Sequence, residues 1–421
     1  MTIAALELND QSLLIEAEDG SQFSEPGFAR LSGDGIVSGE EARAVAWREP
    51  QHVYNQYWCH LNQTPLPVRH RHARHHADIA FAQLKKLWEQ VGRVDALILL
   101  APGSFSRNQL SLLLGMVEAL PSQPLAVIDS ALAACADVDC DTLHVDLQMH
   151  ESVLTVCRPQ GGSVRIVGQE VFSGLGMAQM QNAMARHISD LLVESYRFDP
   201  LHSSAAEQAI FDQIPQWLTR LRWDPEVSIK VDSEQGELSC ILRRDAIKDL
   251  IGSRIESMRS FIERWPDCSL LLGSSSAPLT GLVDEFAKAE VTSRFAGTRR
   301  CIAGHAELLE QVDDLYRIRT LSRVGKAESG PELNGERLAT HLLWEDLALP
   351  LSKPVSIRLA DRGPRLSNEL DQAAELTVVM HNRVLETLHC TVDVSLPATC
   401  RPGESIRIGG YEIKLIRVRG A

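Results

Sequence analysis

One stretch of the sequence contains an aspartate in a pattern that could serve phosphate or metal chemistry. HVDLQMHESVLTV, residues 144–156, predicts a strand that contains Asp146, then a tight turn, then a second strand. A turn that holds a nucleotide phosphate needs glycines, because its backbone must approach the phosphate oxygens. Gln148, Met149 and His150 stand in this turn instead. The residues alone leave open whether the turn is a phosphate loop that has lost its function or was never one.

A second acidic strand lies near the start of the sequence. IAALELND and SLLIEAEDG predict two strands that are joined by a turn at Asn9 and Asp10. Glu7 precedes this turn, and its carboxylate could reach a hydrated metal ion. On their own, however, Glu7 is more typical of a solvated edge residue and Asp146 of a turn aspartate.

Alternating strands and helices would position the two turns. A short helix is expected over EEARAVAWREP, residues 40–50, and an amphipathic helix over residues 77–92. Ser106 is the expected N-cap of a further helix, which lies between the strands VDALILLAPG and PLAVIDS. Helical patterns dominate from about residue 174 to 264, and we see no internal repeat. This order predicts an α/β fold in which helices cover a sheet.

The sequence changes character after about residue 318. Residues 319–336 are polar and contain glycines, which predicts a linker. Residues 337–421 contain short alternating strands that are separated by proline, glycine and asparagine. This pattern predicts a small all-β domain.

Charge and hydropathy limit the classes of partner. The formal net charge is -14, and such a surface repels a nucleic-acid backbone. An apolar run of about 18 residues is missing, so no membrane span is predicted. The first residues lack the basic region of a signal peptide, and the nine cysteines are scattered. Both features favour a cytoplasmic protein with reduced thiols.

A histidine-rich segment, VRHRHARHHAD, occupies residues 68–78. His72 and His76 are four residues apart and on a helix could chelate zinc or nickel. The interleaved arginines would repel a divalent cation, and Asp78 is the one carboxylate close in sequence. We therefore favour an exposed loop, with a basic patch for an acidic partner and a metal site as the alternatives.

The ordered set of segments resembles the actin-like ATPase superfamily, and within it the DnaK-type heat-shock chaperones and their divergent bacterial relatives. The resemblance covers roughly residues 1–315. It rests on five stretches in the order of the family. IAALELNDQS stands at the first phosphate hairpin, and GIVSGEEARAVAWREPQHVYNQYW resembles a valine-glycine-x-x-alanine segment that is followed by an Asn-Pro turn. LILLAPGSFSRNQLSLLLGMVEAL resembles the strand–helix unit before the connect motif, where PLAVIDSALAA stands. HVDLQMHESVLTV stands at the second phosphate hairpin and LLLGSSSAPLTGLVDEF at the adenosine motif. CIAGHAELLEQ resembles the helix that closes the nucleotide domain.

The resemblance implies a two-lobed nucleotide-binding domain over residues 1–318, with magnesium–ATP between the two hairpins. In the first hairpin Glu7 matches the family's aspartate, and Asn9 replaces the glycine. Asp10 and Gln11 replace the threonines that contact phosphate, and Trp58 falls at the position of the catalytic lysine.

In the second hairpin Asp146 is retained, while Gln148, Met149 and His150 replace the three glycines. Glu151 replaces the threonine. Side chains at the glycine positions would crowd a phosphate, and a carboxylate would repel it. These departures imply that phosphate handling is lost.

In the adenosine motif Gly273 is kept and Ser274 follows it, which leaves purine binding open. The candidate cleft residues are therefore Glu7, Asn9, Asp146, Gln148, Gly273 and Ser274, in a degenerate nucleotide cleft. We expect no catalytic residue, no metal ligand and no bound cofactor, with ATP or ADP and magnesium as the possible exception.

We predict a cytoplasmic, DnaK-type chaperone-like protein with a degenerate ATP site. It would be a pseudo-ATPase scaffold that contacts a protein partner or client polypeptide, with the C-terminal β domain as the contact surface. One alternative is a working chaperone-like ATPase with Glu7 and Asp146 on magnesium and Gly273 and Ser274 at the adenine. Another is an actin-fold adaptor in an assembly or secretion system. The sequence indicates neither the partner nor the oligomeric state.

Overall fold

The computed structural model divides the chain into two compact units, Met1–Gly325 and Lys326–Ala421. It contains 29% helix and 36% strand in several sheets, which confirms the mixed α/β class. The structure describes residues 1–233, 236–276, 279, 282, 289–305, 317–322, 338–345, 347–360, 363–368, 370–371, 373–381, 384–392, 394–397 and 400–418.

The first unit contains most of the helices and strands. Its first part consists of β1 (Ile3–Glu7), β2 (Leu13–Ala17), β3 (Gln22–Glu25), β4 (Ala29–Ser32), β5 (Gly35–Ser38), α1 (Glu40–Arg43), β6 (Val53–Tyr54), α2 (His76–Gln90), β7 (Ala96–Ala101), α3 (Arg107–Glu118), β8 (Gln123–Asp129) and α4 (Ser130–Ala134). Its second part consists of β9 (Thr142–Leu147), β10 (Glu151–Gln160), β11 (Ser163–Ser173), α5 (Met177–Tyr196), α6 (Ser204–Leu221), β12 (Glu226–Ser233), β13 (Gly236–Arg243), α7 (Arg244–Gly252), α8 (Glu256–Ile262), β14 (Ser269–Leu272), β15 (Glu290–Val291), α9 (Ala296–Ala303), β16 (Arg317–Ile318) and β17 (Thr320–Ser322).

Two six-stranded sheets organise this unit. The first sheet has the order β16-β8-β7-β1-β2-β3, and the second has the order β15-β14-β9-β10-β11-β17. In each sheet three consecutive strands pair antiparallel, and two later strands extend the sheet in parallel from the first of them. Over these five strands the two sheets therefore repeat one topology, although the sequence shows no repeat; the sixth strand is added at opposite ends, as β16 beside β8 and β17 beside β11.

The core explains why the helices lie on these sheets. One apolar cluster joins the first sheet to α2 and α3, and another joins the second sheet to α5, α6, α7 and α8. A third cluster lies between the sheets and includes Ile98 of β7 and Val164 of β11. The inner strands of each sheet, such as β7 and β9, are thus buried on both faces, as is typical of strands in parallel pairs.

Local sequence signals predict where two of the helices begin. α2 begins at His76 and ends at Gln90, close to the predicted range 77–92. α3 follows Ser106, whose hydroxyl accepts a hydrogen bond from the Gln109 backbone N–H, so the predicted N-cap is confirmed. Among the described residues no helix combines the length and the apolar composition that crossing a membrane requires.

Three predicted segments lie partly outside the described residues. Residues 320–322 of the predicted linker form β17, which pairs with β11, while residues 323–336 are not described. The helix expected over LTGLVDEFAKA, 279–289, falls almost entirely on residues that are not described. The same holds for residues 306–311 of CIAGHAELLEQ, whose first residues lie in α9.

The second unit is built from strands in its described parts. They are β18 (His341–Trp344), β19 (Leu347–Pro350), β20 (Val355–Ala360), β21 (Gly363–Ser367), β22 (Leu376–His381), β23 (Val384–Cys390), β24 (Val394–Ser395), β25 (Ser405–Ile408) and β26 (Tyr411–Ile416). They form a five-stranded sheet, β19-β18-β26-β25-β24, and a four-stranded sheet, β21-β20-β22-β23. Apolar residues of both sheets share one core, as in a β-sandwich.

Candidate functional site

The two turns singled out in the sequence lie against each other. The first turn comprises residues 8–12, between β1 and β2, and the second comprises residues 148–150, between β9 and β10. The side-chain amide of Asn9 donates to Asp146 Oδ1 over 2.9 Å and to the Leu147 backbone oxygen over 3.0 Å. The structure therefore brings Asn9 and Asp146 together, as the resemblance implies for the two hairpins.

Further hydrogen bonds complete this turn–turn contact. The Asp10 backbone N–H donates to Gln148 Oε1 over 3.1 Å, and the Met149 N–H donates to Asp10 Oδ1 over 2.5 Å. The Gln148 amide also donates to Asp146 Oδ2 over 2.6 Å. Asn9, Asp10 and Gln148 are only 5%, 3% and 3% exposed. Several polar groups of each turn are thus engaged by the other turn, out of contact with solvent, while Asp10 Oδ2 is buried without a hydrogen-bond partner among the described residues.

Glycines occur opposite the turns instead of within them. A Cβ atom on Gly27 would lie 2.5 Å from the Asp10 backbone oxygen, which accepts a hydrogen bond from the Gly27 N–H. A Cβ atom on Gly176 would lie 2.5 Å from the Met149 oxygen. The first N–H groups of α5 bond to the carbonyls of Gln148 and Met149. Neighbouring backbone therefore packs directly onto both turns.

The carboxyl groups at this contact have raised pKa values. Burial raises the pKa of Glu7 to about 8, of Asp10 to about 7 and of Asp146 to about 6. The negative charge of Asp146 adds to the rise at Glu7, and the charge of Glu151 adds to the rise at Asp10. The region therefore resists further negative charge.

Arg294 is the cation beside Glu7. It donates hydrogen bonds to the Ser12 and Ser24 hydroxyls over 3.0 and 2.6 Å. Burial lowers its pKa, and the charge of Glu7 acts in the opposite direction. Its charge lowers the pKa of Glu7, against the larger effects of burial and of Asp146, and sequence reasoning missed this residue.

The adenosine-motif residues lie next to the same contact. Gly273 follows β14 and donates its N–H to the Val145 oxygen over 2.9 Å. Ser274 begins a short 3₁₀ helix, Ser274–Ser276. Within it, Ser275 Oγ donates to the Leu147 oxygen over 3.0 Å and accepts from the Asn9 amide over 3.1 Å. Ser275, which was not among the candidate residues, thus links this segment to both turns.

Trp58, at the position that the resemblance gives to a lysine, is a core residue. Only 2% of it is exposed, and it packs in the apolar cluster of the first sheet. Its indole N–H donates to Gln83 Oε1 over 2.9 Å, and the Tyr57 hydroxyl donates to the same oxygen over 2.6 Å. Its indole N–H is therefore committed to the core and is not free for a phosphate.

A second contact connects the segment after α1 with α6. The rings of Trp47 and Phe211 stack with centroids 4.0 Å apart and planes at 14°. Gln208, only 1% exposed, accepts from the Trp47 N–H over 2.9 Å and donates to the Arg43 oxygen over 3.1 Å. We call these interactions the Trp47–α6 contact.

The helix predicted over residues 40–50 is wrong beyond Arg43, and this contact explains why. α1 ends at Arg43, and turns continue from there. In a helix the Trp47 N–H would bond the Arg43 oxygen, but the Gln208 side chain lies between them and bonds to both. An inserted side chain of this kind interrupts a helix. The sequence contains one signal of this interruption, because Gln208 is a polar residue among the apolar positions of α6.

The histidine-rich segment does not form a helical chelate. α2 begins at His76, so His72 lies before it. The His72 ring contacts the Gly33 oxygen at 3.0 Å, and the His76 ring contacts the His60 oxygen at 3.1 Å. In the part of the chain that the structure describes, no three histidine, cysteine, aspartate or glutamate residues are placed to hold a metal ion.

The residues at the turns do not fit a magnesium triphosphate. A phosphate between the turns would have to displace the amides of Asn9 and Gln148 and would meet the buried carboxyl groups of Asp10 and Asp146. The backbone N–H groups of Asp10 and Met149, which could face a phosphate, are already used across the contact. The hydrogen bonds between the two turns join the two sheets directly. Comparisons with protein-family models and with curated proteins find no match to the chain.

Proposed function

We propose that residues 1–318 adopt the two-lobed actin-like, DnaK-type nucleotide-domain fold, with one lobe on each six-stranded sheet. Two observations support this assignment. The sheets repeat one topology, and the turns after β1 and β9 meet between them. The resemblance of five ordered segments agrees with that arrangement. The protein is then a chaperone-like pseudo-ATPase, whose function is to bind a protein partner or client polypeptide in the cytoplasm.

The turn–turn contact is the observation that carries this proposal. In a nucleotide-driven protein the ligand would connect the lobes, so opening and closing would follow its hydrolysis. Here Asn9, Asp10 and Gln148 connect them directly. Side-chain and backbone groups of the chain itself thus join the lobes, which suits a scaffold that presents a fixed surface.

The C-terminal sandwich is the contact surface that we propose for the partner. Leu347, Val392 and Val418 are exposed apolar side chains of this unit. A groove of about 430 Å³ lies beside its edge strand β24 and is lined by residues that include Val394, Arg407 and Gly409. Edge strands can accept an added strand from a partner. An extended polypeptide is therefore the ligand that this unit suits.

Two measurements, of nucleotide binding and of nucleotide hydrolysis, test the proposal. Calorimetry with magnesium–ATP and magnesium–ADP, combined with a phosphate-release assay, should give neither heat of binding nor product. Micromolar binding with hydrolysis would instead establish the working chaperone-like ATPase. Affinity capture from a native extract should return client polypeptides or a defined partner, whereas components of an assembly or secretion machine would favour the adaptor alternative.

A further inference from the structure

The proposed function leaves one charged surface unexplained. Residues 51–77 contain no aspartate or glutamate, although the chain has 56 acidic residues, and they hold six of its fourteen histidines. Within this stretch Arg69 and Arg71 are exposed. Val68, beside them, is an apolar side chain that is 64% exposed. An acidic protein thus carries a local surface that is both basic and apolar.

The loop that carries these residues is held in place. Its two ends meet, because the Leu66 N–H donates to the Arg74 oxygen over 2.8 Å, and Pro65 pairs with His75. The Leu66 side chain is buried in the core. We call residues 66–74 the basic loop. The paired ends hold the loop, with its exposed arginines, at one place on the surface.

Two arginines of the basic loop keep their charge available. Arg74 lies 3.6 Å from Asp78, so part of its charge is compensated. Among the described residues no carboxylate lies within the 4.0 Å of an ion pair from Arg69 or Arg71. Charged groups without a local partner on an ordered loop are suited to a partner of opposite charge.

We propose that the basic loop is a docking surface for a short acidic polypeptide segment that contains an apolar residue. Carboxylates of the segment pair with Arg69 and Arg71, since guanidinium groups bind carboxylates through two parallel hydrogen bonds. The apolar residue covers Val68. The inference goes beyond the proposed function and does not depend on the state of the nucleotide cleft.

The rest of the surface favours a peptide over a larger polyanion. Salt screens charges beyond about 8 Å at physiological ionic strength. A peptide of a few residues can stay within that distance of the loop. A nucleic acid or an anionic bilayer extends much farther and would also face the remaining surface of a protein whose net charge is -14. The loop therefore suits a compact acidic ligand.

Fluorescence anisotropy with the full chain tests the inference. The probe is a labelled peptide of about eight glutamates with one central leucine, because an acidic stretch with an apolar anchor reproduces the proposed ligand. We expect saturable binding that weakens as salt increases. The double variant Arg69→Ser, Arg71→Ser should weaken binding at least about tenfold, and Val68→Ser about threefold.

The matched control is Arg186→Ser, which removes an exposed arginine on α5. It should change the affinity less than about twofold. Circular dichroism checks that each variant is folded. Three results would overturn the inference: no binding of the peptide at millimolar concentration, an equal loss in the control, or tighter binding of single-stranded DNA or phosphatidylserine vesicles than of the peptide.

Discussion

The amide of Asn9 provides the most detailed test of how the two turns are held together. In Asn9→Ala, Asp146 Oδ1 loses its donor while it remains buried, whereas the Leu147 oxygen keeps the donors of Gln11 and Ser275. A buried acceptor that loses its partner costs about 1–3 kcal/mol, so the free energy of unfolding should fall by roughly that amount. For a unit of this size the melting temperature should fall by about 2–4 °C.

Urea and thermal unfolding, followed by tryptophan fluorescence, measure this loss. Asn62→Ala is the matched control. Asn62 also accepts a hydrogen bond from the N–H two residues ahead and donates to a backbone oxygen, but it lies outside the turn–turn contact. The control should cost about 1 kcal/mol or less. Equal losses in the two variants would refute the reasoning.

A charged substitution at the same position separates electrostatics from lost hydrogen bonds. Asn9→Asp places a carboxyl group where the amide lies 2.9 Å from Asp146. Two carboxylates at that distance repel each other, so the variant should lose more stability at pH 8 than at pH 5. A loss that does not vary with pH would contradict the proximity of the two groups.

The remaining predictions concern pH, the second contact and close backbone packing. Because the pKa of Glu7 is raised from 4.5 to about 8, its contribution to the free energy of unfolding is greatest below pH 4.5 and falls as the pH rises to about 8. Glu7→Gln should flatten that fall in urea titrations, and an unchanged pH profile would count against the burial of Glu7. Trp47→Ala should increase hydrogen–deuterium exchange in α6, and exchange equal to wild type would mean that the stack with Phe211 does not hold the helix. Gly176→Ala should lower the melting temperature because its Cβ would meet the Met149 oxygen, whereas Gly115→Ala, in open space on α3, should raise it slightly; a rise for both would refute the close packing.

The sequence predicts elements whose signals are local. The N-cap at Ser106 and the helix over residues 77–92 depend on neighbours within a few positions, and both are confirmed. The mixed α/β class follows from the order of such elements. The actin-like assignment and the degenerate ATP site remain predictions, which rest on the resemblance of the five segments.

Long-range contacts account for what the sequence did not reveal. Asn9 and Asp146 are 137 residues apart, and the identity of the first side chain gives no sign that it donates to the second. The Gln208 amide ends α1 from 165 residues away. The acidic residue Glu7 was a candidate metal ligand by type alone, whereas burial beside Asp146 favours its neutral form. These features depend on tertiary packing, which local patterns do not encode.

The central claim is that direct contact between the two turns has replaced a nucleotide. Isothermal titration of the full chain with magnesium–ATP and magnesium–ADP tests it most directly, with the Asn9→Ala variant titrated in parallel. The account predicts no heat of binding to the wild-type protein at millimolar nucleotide. Micromolar binding to the wild-type protein, weakened by substitution of Asn9, would contradict it.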